Sequence, residues 1–169
     1  MLASLQVDTI EDEPGYRTFG RIIEDDQVET KAIVNIHAAN DLFHEAHITV
    51  VSYNGYLLLA GQVPNEAMKV QATEVVHKIK GVRRIYNELE IAAPSSGMTR
   101  TSDTWITAKV KSLLLGSSEI QGSRVKVVTE NGVVFLMGLA SSREAQRVAD
   151  TASGISGAQR VVRLFELLE

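Results

Sequence analysis

Apolar and polar positions along the 169-residue chain change period in a fixed order, and the order occurs twice. In "DDQVETKAIVNIHAAN" and again in "SDTWITAKVKSLLLG" apolar residues return every three or four positions, the pattern of an amphipathic helix. In the second stretch they are Trp105, Ile106, Val110, Leu113 and Leu114. Ser102 or Asp103 can cap its start by accepting backbone N–H bonds, and Gly116 can stop it. Two strand-like runs follow each helix. "HITVVSY" and "YLLLAG" flank Asn54-Gly55, and "RVKVVTE" and "VVFLMG" flank Asn131-Gly132. Asn-Gly between apolar runs predicts a hairpin with a type I′ turn, because both central residues must take positive φ.

A second helix comes next in each copy, with apolar faces Met68, Ala72, Val75, Val76, Ile79 and Ala145, Val148, Ala149, Ala152, Ile155. Gly81 and Gly157 end these helices, and "VRRIYNELEI" and "AQRVVRLFELL" supply a last strand. Each copy therefore reads α-β-β-α-β in about 65 residues, enough for a domain of its own. The hairpins align at an offset of 77 residues without a gap, matching Val51 to Val128, Asn54 to Asn131, Gly55 to Gly132, Leu59 to Leu136 and Gly61 to Gly138. The expected organisation is a flexible arm over 1–22, domains over 23–92 and 102–169, and a linker over 93–101 in "AAPSSGMTR".

The fold class this implies is α+β, two tandem sandwiches. Alternation places Leu57, Leu59, Val134 and Leu136 beneath the helices. The opposite faces of the same strands, Leu58 and Ala60 in one and Phe135 and Met137 in the other, are also apolar. Either the two sheets cover each other or a partner covers them. Gly61 and Gly138 read as strand ends where the following helix comes close.

Charge separates the copies. Residues 1–99 carry eight Lys/Arg against fourteen Asp/Glu, and residues 100–169 carry nine against seven. Only the second half is suited to an anionic partner, since local charge sets that attraction. There are no cysteines, which removes disulfides and thiolate chemistry from these residues. No apolar run is long enough to cross a bilayer as a helix, and "MLASLQVDTIEDEPGY" turns acidic too early to contain a targeting core.

The "TENGVVFLMG" hairpin, the helix on each side of it, and the "GAQRV" or "GVRRI" entry to the last strand resemble the BON domain of Gram-negative envelope proteins. Tandem copies over roughly residues 20–168 are similar to the dual-BON-domain outer-membrane lipoproteins. The resemblance implies a non-enzymatic periplasmic protein at the inner leaflet of the outer membrane. It also implies binding to anionic, phosphatidylglycerol-like phospholipid and support of membrane integrity. Such lipoproteins carry a lipidated cysteine, and these residues contain none.

Candidate chemistry is sparse. No phosphate loop, nucleophile elbow or paired metal motif occurs, and no cofactor or nucleic-acid partner is called for. His37, Asp41, His44, Glu45 and His47 form a polar cluster able in principle to ligate a metal, but their spacing fits no ligand pattern. Copy 2 has Leu114, Gln121 and Arg124 where the histidines stand, so the expectation is a solvated loop. Trp105, the only tryptophan, opens a helix beside Ile106, Lys109, Val110 and Leu113. These five residues are the candidate lipid-binding face, because an indole and nearby lysines suit a membrane interface. The competing reading is that Trp105 covers the core or packs between the domains. At an offset of 77 the residue matching Trp105 in copy 1 is Val28, followed by Glu29. The alternative function is a scaffold whose open sheet faces bind an envelope assembly protein.

Overall fold

The structure, a computed structural model, describes residues 15–168. Copy 1 runs through α1 (Phe19–Ala39), a 3₁₀ turn (Asp41–Glu45), β1 (His47–Tyr53), β2 (Tyr56–Val63), α2 (Glu66–His77) and β3 (Arg84–Ile91). Copy 2 repeats the order with α3 (Gly97–Gly116), a 3₁₀ turn (Gly122–Arg124), β4 (Val125–Glu130), β5 (Val133–Ala140), α4 (Ser142–Ser153) and β6 (Arg160–Leu167).

Both leading helices begin earlier than their apolar stripes suggest. Helix α1 starts inside the expected arm, whose residues 1–14 lie outside the described residues. Helix α3 starts inside the expected linker. In each case a hydroxyl residue in extended backbone sets the start: Thr18 accepts the Arg21 N–H, and Ser96 accepts the Thr99 N–H. Ser102 and Asp103 are therefore helix-interior and cap nothing. Gly116 is the last helical residue and has no left-handed φ; the chain leaves through Ser117 in extended conformation.

Each sheet has three strands with the second one central. Strands β1 and β2 pair antiparallel across Asn54-Gly55, and β2 and β3 pair parallel across the α2 crossover; copy 2 does the same. The turns have positive φ at both positions, 51° and 79° in copy 1 and 49° and 78° in copy 2, as a type I′ turn requires. Gly61 and Gly138 also have positive φ, but the helix is not the reason. A Cβ at Gly61 would run into the His47 carbonyl, and one at Gly138 into the Arg124 carbonyl. What demands glycine is the approach of the neighbouring strand's start.

Two helix-to-sheet cores form. Leu57 and Leu59 meet Val28, Ile36, Met68 and Val76, while Val134 and Leu136 meet Ile106, Val110, Leu114 and Val148. A third core lies between the sheets, where Val51, Tyr53, Leu58 and Ala60 pack with residues that include Phe135 and Met137. The result is four layers, helices–sheet–sheet–helices. A scaffold built on open sheet faces is not available to this chain, because each face is closed by the other.

The contacts at this seam repeat with the copies exchanged. The Tyr53 hydroxyl donates to the Arg124 carbonyl at 3.2 Å, and His47 Nε2 lies 3.1 Å from Glu130 Oε1. At the hairpin offset Tyr53 corresponds to Glu130 and His47 to Arg124. That reciprocity is the mark of a two-fold, self-complementary interface, here joined into one chain. One end carries an extra clamp: Arg83 holds Glu166 through Nη1 and Nη2 at 2.9 and 2.8 Å, and Asn54 Nδ2 donates to the same carboxylate at 2.6 Å.

Candidate functional site

Helix α3 is divided lengthwise. Asp103, Ile106, Val110 and Leu114 point into copy 2 at the spacing of a buried stripe. Of the five residues expected to touch lipid, Ile106 and Val110 are thus core, at 2% and 0% exposure, and take no part in a surface. Trp105 is 54% exposed, Leu113 45%, and Lys109 lies exposed between them. Met98, seven residues before Trp105, is 85% exposed on the same side. Met98, Trp105, Lys109 and Leu113 therefore share one outward stripe. The core reading of Trp105 does not hold, and the stripe gains a methionine that its apolar period did not reveal.

The helix has one carboxylate, Asp103, and it is buried. Arg100, Lys109 and Lys111 are all exposed, so the solvent-facing charges of α3 are all cations, and Lys109 is the one on the stripe. Helix α1 carries Glu24, Asp26 and Glu29 besides the buried Asp25. Buried positions in α1 and α3 align at an offset of 78, pairing Asp25 with Asp103, Val28 with Ile106, Ala32 with Val110 and Ile36 with Leu114. Copy 2 is one residue shorter between helix and hairpin. Gln27, not Val28, is therefore the counterpart of Trp105.

The aspartates were not legible as functional groups, yet each carries a hairpin tip. Asp25 Oδ1 accepts the Gly55 N–H and the Ser52 hydroxyl, and Oδ2 accepts the Asn54 N–H and Arg17 Nη1, all between 2.7 and 2.9 Å. Asp103 accepts the Asn131 and Gly132 N–H groups at 2.8 and 2.9 Å. Burial pushes the Asp25 carboxyl up, but its hydrogen bonds together outweigh that and hold it below its usual value. Burial dominates at Glu29 and raises it, although the carboxylate accepts the Ser52 N–H at 2.8 Å. The signal for these latches was an aspartate recurring in the buried register of both leading helices.

The histidine cluster does not converge. The rings of His37 and His44 stack at 4.8 Å, while His47 turns to Glu130 across the seam. Among the described residues no group of three His, Cys, Asp or Glu side chains is placed to hold a metal ion. No described helix is long and apolar enough to cross a membrane.

Compared with known proteins, the chain matches the BON domain at residues 25–93 and 102–169. It is 37% identical over 153 residues to the "Outer membrane lipoprotein DolP" of Haemophilus influenzae, covering 90% of this chain and 79% of that one. It is 35% identical over the same length and shares to the "21 kDa hemolysin" of Actinobacillus pleuropneumoniae. It is 26% identical to the "Osmotically-inducible protein Y" of Escherichia coli, covering 81% of this chain and 70% of that one. With the repeated α-β-β-α-β unit, the paired Asn-Gly tips and a match in each half, the chain belongs to the BON-domain family, and it carries two BON domains.

Proposed function

We propose that this protein works in the bacterial envelope, at the inner leaflet of the outer membrane, without catalysing a reaction. There it rests on anionic phospholipid through the outer stripe of α3 and supports membrane integrity. The likeness to an outer membrane lipoprotein over nine-tenths of the chain supports the compartment. The observation that carries the surface is Trp105, half out of water beside Lys109 on a helix whose exposed charges are three cations and no carboxylate.

An indole at an interface keeps its N–H wet while its ring leaves water. Burying it contributes about 1.5–3 kcal/mol, and each nearby lysine or arginine adds about 1 kcal/mol against an anionic leaflet. Leu113 and Met98 extend the apolar footprint along the helix. Attachment by this stripe alone is therefore weak, reversible and weakened by salt. The test is co-sedimentation with vesicles rich in phosphatidylglycerol and with phosphatidylcholine vesicles. Wild type should pellet with the former only, and Trp105→Glu, folded as before, should stay in solution. Equal pelleting of the variant and wild type would remove α3 as the contact, and no binding by either would remove the lipid reading.

A further inference from the structure

Two grooves flank the seam, and exchanging the copies turns one into the other. The first is filled by the chain itself. Arg17 Nη1 donates to Asp25 at 2.9 Å, and its guanidinium lies 4.0 Å from the centroid of the Tyr53 ring. The Tyr16 hydroxyl sits 3.3 Å from Ser123 Oγ, and the Arg124 guanidinium lies over the Tyr16 ring. Gly15 is buried so tightly that a Cβ there would collide with the Arg124 side chain. Residues 15–17 thus run along the seam and place one arginine in it.

The second groove is open, with a volume of about 360 Å³. His47 and Thr49 of β1, Arg100, Asp103 and Thr107 of α3, and Glu130 of β4 surround it. Exchange of the copies puts Asp103 where Asp25 stands and Glu130 where Tyr53 stands. His47 and Thr49 replace Arg124 and Lys126 on the opposite wall, and Thr107 replaces Glu29. We infer that this groove binds an extended segment of a partner protein, with an arginine seated between Asp103 and Glu130 as Arg17 is seated between Asp25 and Tyr53.

Three features of the groove favour a cation. Asp103 accepts two backbone N–H groups where Asp25 accepts those two, a hydroxyl and a guanidinium, so lone pairs remain on it. Thr129, the counterpart of Ser52, is engaged by the Thr107 hydroxyl at 2.7 Å and leaves Asp103 alone. Glu130 is 8% exposed; its Oε1 lies 3.1 Å from His47 Nε2 and accepts from Thr49 at 2.6 Å, whereas Oε2 is buried with no partner among the described residues. A buried carboxylate oxygen without a donor is costly, and a donor arriving from the groove relieves that cost. The wall opposite has also exchanged two cations for a histidine and a threonine.

Among the described residues Arg100 is the one Lys or Arg on the rim, and its Nε donates to Ser95 Oγ at 3.3 Å, toward the linker. A guanidinium suits the place better than an ammonium, because its planar fork reaches two acceptors at once. Residues 1–14 contain no lysine or arginine, so they do not supply the side chain. The proposal is independent of lipid attachment, and its test uses no lipid.

The experiment titrates the full-length ¹⁵N-labelled chain with the amidated, acetylated peptide Pro-Gly-Tyr-Arg-Thr, following backbone amides by NMR. Saturable shifts are expected at His47, Thr49, Thr107 and Glu130. Citrulline in place of arginine, or Glu130→Gln in the protein, should weaken binding about tenfold, the loss of a charge-assisted contact. A second variant, Thr107→Arg, fills the groove from its own wall and should abolish the shifts even if Glu130→Gln perturbs the fold. Shifts confined to Tyr53 and Arg124, no saturable shifts at all, or equal binding of the citrulline peptide would each overturn the assignment.

Discussion

Asp103 holds Gly132: a carboxylate on α3 accepts the N–H of a hairpin tip 29 residues further along the chain, at 2.9 Å and out of contact with water. The same bond joins Asp25 to Gly55. A type I′ turn directs its N–H groups away from the strands, and here a helix supplies the acceptor. Asp103→Ala leaves the Asn131 and Gly132 donors without a partner and should cost about 3 kcal/mol in urea unfolding. Asp103→Asn keeps one acceptor and should lose less. An alanine variant as stable as wild type would show that the turn stands unaided.

The division of α3 makes a sharp contrast between adjacent residues. Ile106→Ala opens a cavity in the copy 2 core and should cost about 2–5 kcal/mol. Trp105→Ala removes a ring that is half in solvent and should change stability by less than about 1 kcal/mol. Thermal unfolding of the two variants side by side checks this. The reverse order would mean that the helix is rotated.

Between the copies, apolar packing should outrank the ion pair. Met137 is fully buried at the seam, and its truncation to alanine is expected to cost about 2–5 kcal/mol. Arg83 is half exposed, so Arg83→Gln should cost less than about 1 kcal/mol despite its two bonds to Glu166. Chemical denaturation of both variants, with the slope recorded, separates the contributions.

Acid should loosen the fold. Asp25 is held low against its burial by its donors. Glu166 is held low first by Arg83, and Glu144 first by the Ser141 N–H. A lowered folded value gives stability that is complete above the unfolded value, about 4, and is lost as pH falls through the folded one. Glu29 has the opposite sign, because burial raises it: its contribution is present in acid and lost as pH rises through its folded value. With three groups against one, the urea midpoint should drop on going from pH 6 to pH 3. Asp25→Asn should flatten that dependence.

The element order, the hairpin tips and the strand faces were legible because each follows from local chemistry. Asn-Gly fixes a turn wherever it falls, and alternation assigns Leu57 and Leu136 to one face regardless of what lies beyond. The stripe on α3 was legible only in part. Trp105, Lys109 and Leu113 point outward, but Ile106 and Val110 are adjacent to them in sequence and opposite in space. A list of neighbours on a helix does not assign faces; the buried register does, and Asp103, a polar residue within it, obscured that register. The start of α3 was hidden by Ser95, Ser96 and Gly97, which read as a loop until one serine is recognised as a cap. The seam was legible only as one of two options, because an apolar outer sheet face calls for a cover but nothing local says whether the other copy or a partner supplies it.

Sealing the two sheets against each other also sets how freely each part of the molecule can change. A substitution at Phe135 or Leu58 is felt by both copies at once, so the inner faces cannot change independently. The outer sides of α1 and α3 have no such tie, since each looks away from the other copy. There the two halves differ, one acidic and the other basic with a tryptophan. A second copy thus leaves the first to keep the fold standing while its own exterior is turned to another use.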